Sequence, residues 1–478
     1  MPRSSARRIV SHFRLAAVWL AASGLTQAQP AKEDFTLFNE PLVALAHVEV
    51  IDGTGAAARA DQTILIRNGR IAAIGPAAGI KVPADAKVRD LGGHSVIPGF
   101  VMMHEHMFYP EGLGNYTEMA RTFPRLYLAG GATTVRTAGS IAPFADINMR
   151  EEIRKGNIPG PDMHVTGPFV DGPDLLFLKI KITKDPADAR ALVDYWSKEG
   201  ATSYKVYMHI SRAILSAVVE EAHKRGHKVT GHLCSVTLRE AADLGIDNLE
   251  HGFFASTDFV KGKKPDDCPK RGDADLSLAT LDPEGPEATA LIQHLVAKKV
   301  ALTSTLTVFE TTQAGRPIAP SGALDLLIPE MREQYLSRWS MIQQAGPTAT
   351  SNMFKVGMRL EKRFVEDGGH LMAGTDPTGY GGVIPGYSNV RELELLVETG
   401  FSMAEAVKIS TMNGATFLGV EKDVGSLEAG KRADLIVFKG SVGADVKALK
   451  DVQWTMKAGV AYDRAKILAA MKGKVGLY

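Results

Sequence analysis

His104-Glu105-His106 is the stretch of this chain best suited to chemistry. In an extended strand residues i and i+2 share a face, so both imidazoles point one way and Glu105 the other. Two nitrogens on one face can chelate a cation. With 13 histidines in 478 residues, one such pair says little alone. It is not the helical H-E-x-x-H zinc pattern, because Met107 and Phe108 follow. Other ligand types stand at comparable places. His232 lies in Thr230-Gly231-His232-Leu233-Cys234, His251 in Leu249-Glu250-His251-Gly252, and Asp376 in Ala373-Gly374-Thr375-Asp376-Pro377. Each ends a β-type run where the chain turns out. Four histidines and a carboxylate match nitrogen and oxygen ligation of zinc or a similar divalent ion. Lys205, in Ser203-Tyr204-Lys205-Val206-Tyr207, is a cation in an apolar strand, where a free ammonium is expensive to bury. Either it faces solvent at a strand edge, or it faces inward with its amine converted by CO₂ to a carbamate bridging two cations.

Positioning these residues requires strands that end together. Eight candidate strands cover 96–106, 132–137, 163–167, 202–208, 228–234, 248–252, 301–307 and 370–376. Amphipathic helices alternate with them. The clearest covers 212–225, where Ile214, Leu215, Val218, Val219 and Ala222 keep an apolar stripe at three-to-four spacing. Strand–helix alternation implies parallel strands with right-handed crossovers. Eight units fit a (β/α)₈ TIM barrel, whose active sites gather at the C-terminal ends of the strands. A doubly wound open sheet is the alternative, but no G-x-G-x-x-G follows the first strand. The connections 253–300 and 308–369 are long enough to shape a pocket above that face. Short β segments flank the barrel region. Residues 63–67 and 70–74 are strands around an Asn68-Gly69 hairpin turn, and 433–438 and 452–456 echo them near the C-terminus. The two ends could pair into one sheet.

Composition narrows the classes. Apolar residues make up 45% and charged residues 23%, an ordinary globular balance. The net charge is +1 without blocks of like charge, which argues against nucleic acid or a polybasic membrane partner. Arg3, Arg7, Arg8 and Arg14, the short apolar run 15–25 and Thr26-Gln27-Ala28 read as an export signal over 1–28. Arg7-Arg8 admits a twin-arginine route. Losing those four cations takes the formal charge from +1 to −3. The expected mature protein is exported, periplasmic or secreted, without a membrane anchor. Cys234 and Cys268 cannot build a disulfide framework or a cysteine zinc site, and Cys234 reads as a small apolar residue without a base to activate it.

With these residues in order, the chain resembles the amidohydrolase superfamily, in its imidazolonepropionase-like and Xaa-Pro dipeptidase-like secreted branches. Ochratoxin-type amidases share the motifs. The resemblance rests on Pro98-Gly99-Phe100-Val101 leading to His104 and His106, Thr133-Thr134-Val135-Arg136, Gly200-Ala201 before Lys205, Glu250-His251-Gly252 and Gly374-Thr375-Asp376. It continues through Thr411-Met412-Asn413-Gly414-Ala415 and Gly425-Ser426-Leu427-Glu428-Ala429-Gly430-Lys431-Arg432-Ala433-Asp434-Leu435, which marks a return from barrel to β-sandwich. It implies a small β-sandwich from 29–97 and 422–478 around a barrel at 98–421. It also implies two divalent ions, Zn²⁺ by donor type. His104, His106 and Asp376 would hold one and His232 and His251 the other, bridged by carboxylated Lys205 and a hydroxide. Imidazolonepropionase uses one metal and lacks the bridging lysine, so Lys205 points to the dipeptidase-like branch. The sequence departs from dipeptidase-like relatives at Thr137-Ala138, where they often carry an Asp.

The implied reaction is hydrolysis of an amide in an N-acyl amino acid or Xaa-Pro-type dipeptide, with Asp376 moving the proton to the leaving amine. Arg136, Tyr207 and His209 are candidates to meet the substrate, although Arg136 and Tyr207 read equally well as packing or ion-pair residues. His164 reads as structural, His223 and His227 as solvent-facing. Lactone or phosphotriester hydrolysis and imidazolonepropionase-like opening of a cyclic amide remain open. So does a barrel kept only for binding, without metal. A small-molecule substrate and a homo-oligomeric state complete the expectation.

Overall fold

Asn68 and Gly69 take φ of 49° and 77°, both left-handed as a two-residue hairpin turn demands. They join two strands of a computed structural model that describes residues 34–112, 115–173 and 179–477. The expected export signal lies outside the described residues. The N-terminal strands are β1 (Thr36–Phe38), β2 (Leu42–Val50), β3 (Arg59–Arg67), β4 (Arg70–Pro76), β5 (Lys87–Asp90) and β6 (His94–Pro98). They form one nine-stranded mixed sheet with three strands from the far end of the chain, in the order Thr36–Phe38, Val460–Asp463, Val452–Lys457, Leu435–Lys439, β6, β2, β3, β4, with β5 beside β2. The join between the two ends is antiparallel, Ile97 opposite Ile436 and Val96 opposite Val437. Val43, Leu45, Ile64, Ile66, Val96, Leu435 and Val437 bury one face.

The middle of the chain is parallel. β7 (Phe100–Glu105), followed by the hairpin β8 (Phe108–Gly112) and β9 (Asn115–Glu118), pairs with β10 (Ala132–Thr137), which pairs with β11 (Asp162–His164). A second parallel sheet runs β12 (Thr166–Val170), β13 (Ser203–Val206), β14 (Lys228–Gly231), β15 (Asn248–Glu250), β16 (Ala301–Ser304), β17 (Leu371–Ala373). Only Val165 separates β11 from β12, so the two form one broken strand and all eight expected strands are present. Backbone bonds span both seams. Ser140 bridges Pro168 between β10 and β12, and the Thr375 and Asp376 N–H groups donate to the His104 carbonyl at 3.1 and 3.0 Å, tying the end of β17 to β7. Gly374 packs on His104 so closely that a Cβ would collide with it.

The helices do what their patterning demands. Arg212–His223 is capped by Ser211, whose hydroxyl accepts from the Ile214 N–H, and it buries Ile214, Leu215, Val218, Val219 and Ala222. The long connections carry helices of their own, Arg271–Ala279 and Pro286–Ala297 in one, Pro329–Ala345 and Met353–Glu366 in the other. Among the described residues no helix is long and apolar enough to cross a membrane. One reading of the cysteines is corrected. Cys234 and Cys268 are joined as a disulfide, with Cα atoms 4.9 Å apart, because the excursion after β15 folds back over the end of β14.

Candidate metal centre

At the C-terminal ends of the parallel strands, one nitrogen of His104, one of His251 and one carboxylate oxygen of Asp376 lie within 4.8 Å of one another. His104 Nε2 is 3.7 Å from Asp376 Oδ1, and His106 Nε2 is 3.3 Å from the same oxygen. Lys205 Nζ, on β13, sits 3.3 Å from His104 Nε2. The His232 ring centres 4.4 Å from that of His251. All six residues expected as ligands therefore converge. The alternative of an outward Lys205 does not hold, since its side chain is 1% exposed.

The far nitrogens explain the orientation. His104 Nδ1 is 2.7 Å from Glu250 Oε2, His106 Nδ1 is 3.3 Å from the Gly139 carbonyl, and His251 Nδ1 is 2.8 Å from the Thr305 hydroxyl. Holding one ring nitrogen fixes the tautomer and aims the other. His251 Nε2 is buried without a hydrogen-bond partner among the described residues. Such an orphan normally costs free energy, and a cation held at this nitrogen would offset it. Burial drives His104 down to about 4, with Lys205 adding to it, and drives His232 and His251 well below the ordinary histidine range. These imidazoles are neutral, the form that binds metal. Burial works against Asp376, but His104, His106 and His251 hold its carboxyl well below the usual range. Burial brings Lys205 down to about 8 against the pull of Glu250 and Asp376. The donor set and its outer anchors fit one or two divalent ions.

Two of the residues expected as ligands stand on unusual backbone. His251 has φ of 68° and Asp376 of 50°, both left-handed and neither a glycine. His251 follows β15 directly, so this twist turns its ring to the side already occupied by Glu250.

The expected substrate residues divide. Arg136 is 1% exposed and ion-paired to Glu250, so its reading as a substrate contact gives way to one as an anchor. Burying a guanidinium requires a paired carboxylate, and Glu250 supplies it. Tyr207 is 8% exposed, its ring 4.9 Å from that of His232 and 5.2 Å from that of Phe169. His209 lies farther out, its N–H donating to Asp171 Oδ1 at 2.8 Å. Glu250 itself was not singled out as a site residue. It takes His104, Arg136 and the Thr230 hydroxyl together. Burial would raise its carboxyl, but Arg136 and His104 hold it well below the usual range. The available signal was a carboxylate directly before His251 in the same β-type run. Of the other histidines, His223 is exposed and pairs with Asp247 at 2.8 Å, whereas His227 is half-buried beside Ser197.

The Amidohydrolase family profile matches residues 95–462. The imidazolonepropionase of Streptomyces avermitilis is 36% identical over 104 residues, 20% of this chain and 24% of that protein. The chain thus spans about a quarter of that curated relative. A Bifidobacterium longum protein provisionally described as a prolidase is 25% identical, with a TM-score of 0.62 over 91% of this chain and 100% of that one. An Xaa-Pro dipeptidase with bound methionine gives 20% identity and a TM-score of 0.64 over 88% of this chain and 100% of that one. The A. niger ochratoxinase gives 17% identity and a TM-score of 0.62 over 89% of this chain and 96% of that one. The last two show likeness of fold.

Proposed function

The chain belongs to the amidohydrolase family, and we propose that it is a hydrolase of carbon–nitrogen bonds that cleaves the amide of a small N-acyl amino acid or Xaa-Pro-type dipeptide at a centre of two divalent ions. The observation that carries this reading is the convergence of His104, His251 and Asp376 ligand atoms within 4.8 Å, with Lys205 Nζ 3.3 Å from His104. His104, His106 and Asp376 would hold one ion and His232 and His251 the other, with Lys205 as a further ligand to the pair. When bound, the ions supply a water acidified toward a pKa of about 7 and polarise the scissile carbonyl.

The chain's own residues do the rest. Lys205, brought to about 8, keeps a fraction of free amine at neutral pH. That amine adds to CO₂ with loss of one proton, leaving a carbamate anion in place of a buried ammonium. Asp376 accepts a proton at its carboxylate and delivers it to the leaving nitrogen, so that the product departs as a neutral amine. Glu250, fixed by Arg136, keeps His104 in one tautomer. Tyr207 and His209, at and beyond the end of β13, face the substrate.

In the same reading the parallel strands form a closed (β/α)₈ barrel over 98–421, supported by the backbone bonds at both seams. The terminal sheet is a β-sandwich domain of 29–97 and 422–478. Export of a homo-oligomer completes the picture, and the Cys234–Cys268 disulfide supports an oxidising compartment. The local likeness to an imidazolonepropionase favours a cyclic amide as second substrate class. Elemental analysis with a hydrolysis panel tests the proposal. Divalent metal and chelator-sensitive turnover of N-acyl amino acids or Xaa-Pro dipeptides are expected. Faster turnover of a lactone, an aryl phosphotriester or a cyclic amide would overturn the substrate assignment, and absence of metal would overturn the mechanism.

A further inference from the structure

Behind the left-handed residues lies a second cluster that the mechanism does not use. Glu361, on the helix Met353–Glu366, and Glu392, on the helix Ser388–Glu398, are both fully buried and meet at Ser304, the last residue of β16. Ser304 Oγ is 2.8 Å from Glu361 Oε2 and 3.1 Å from Glu392 Oε1. A hydroxyl has one proton, so it donates to one carboxyl and accepts from the other. One of the two must therefore be protonated. Glu392 also accepts from the Leu306 N–H at 3.2 Å and the Thr307 N–H at 2.9 Å, and the Thr307 hydroxyl oxygen lies 3.1 Å from it. The two backbone donors favour the carboxylate form at Glu392, which leaves Glu361 as the proton carrier. Burial is the main cause pushing Glu361 to about 8 and Glu392 to about 7, in the same order.

The contacts lead to the ligands. Thr305, inside the segment that Glu392 gathers, holds His251 Nδ1 at 2.8 Å. The Thr307 hydroxyl reaches the Thr375 carbonyl at 2.9 Å, one residue before Asp376. Glu361 Oε1 occupies the space where a Cβ on Gly252 would stand, directly after His251.

We propose that Glu361 and Glu392 are positioning residues, a buried carboxyl clamp that sets the turn carrying His251 and, through Thr307 and Thr375, the turn carrying Asp376. The proposal rests on the reading of His251 and Asp376 as ligands. It is tested by titrating metal-free full-length protein with Co²⁺ and following affinity and the visible absorption band. Glu392→Gln puts an amide NH₂ where an acceptor is needed, and is expected to weaken Co²⁺ binding about tenfold or more and to shift the band. Glu361→Gln copies the protonated carboxyl and is expected to match wild type, whereas Glu361→Ala weakens binding. Folded Glu392→Gln and Glu361→Ala proteins with wild-type affinity and spectrum would overturn the clamp. Should Glu392→Gln fail to fold, the Glu361 pair decides: Gln like wild type with Ala weakened supports it, Gln and Ala alike overturns it. A wild-type protein that takes up no Co²⁺ overturns the metal reading and the clamp with it.

Discussion

Four of the residues proposed as ligands fall into two halves built on different principles. His104 and Lys205 stand within parallel strands, β7 and β13, Lys205 in register opposite Thr230 and His104 at an irregularity in the pairing of β7 with β10. His251 and Asp376 stand one to three residues past β15 and β17, on left-handed backbone. Such conformations cost about 1–3 kcal/mol each and persist where surroundings over-determine them. Here the surroundings are side chains: Thr305 on His251, Thr307 and Glu105 on Thr375, and the two buried glutamates behind. The strand half is held mainly by backbone, whereas the turn half adds these side chains to the bonds from the Thr375 and Asp376 N–H groups to the His104 carbonyl. The turn half should therefore be the more sensitive to distant substitution.

The comparison can be broken in several ways. Asp376→Asn, within the turn half, removes the proposed proton carrier and is expected to lower turnover by about 10²–10⁴-fold while the melting profile stays cooperative. Steady-state kinetics on an Xaa-Pro dipeptide would detect residual activity that refutes the role. Lys205→Met, in the strand half, removes the bridge, so bound metal measured by elemental analysis should drop by about half and activity with it. Glu250→Gln tests the outer anchor of the strand half. A loss of about 10–100-fold in metal affinity is expected, together with destabilisation from the stranded Arg136 guanidinium. An unchanged affinity would show that the ladder alone orients His104.

The smallest effect is one of pH. Glu361 is raised from an ordinary 4.5 to about 8 by burial. Between those values the folded protein binds more protons than the unfolded chain. Stability from this group is thus full below about 4.5 and declines as pH rises toward 8. Glu361→Gln removes that decline, so its melting temperature should gain on wild type from pH 5 to pH 8. Parallel curves across that range would place the proton elsewhere.

Much of this was legible in the residues. Strand alternation put His104 and His106 on one side, and they share the centre, while Glu105 turns away to accept from the Thr375 N–H at 3.1 Å. The eight strand positions followed from apolar runs between helical stripes. Alternation misleads at Glu250-His251, where it puts the two side chains on opposite faces. In the structure both lie against His104, Glu250 at 2.7 Å and His251 with ring centres 4.5 Å apart. That needs a positive φ at His251, which no local propensity announces for a histidine. Arg136 was read toward substrate because its partner is 114 residues distant in sequence. The Cys234–Cys268 link was hidden likewise, since pairing across 34 residues depends on how the excursion after β15 returns.

That link has a topological consequence. The stretch from Cys234 to Cys268 is a covalent ring, and His251 lies on its circumference. A single proteolytic nick anywhere between the two cysteines leaves the polypeptide in one piece until a reductant is added. On a gel, such a nicked chain migrates as two fragments only after reduction.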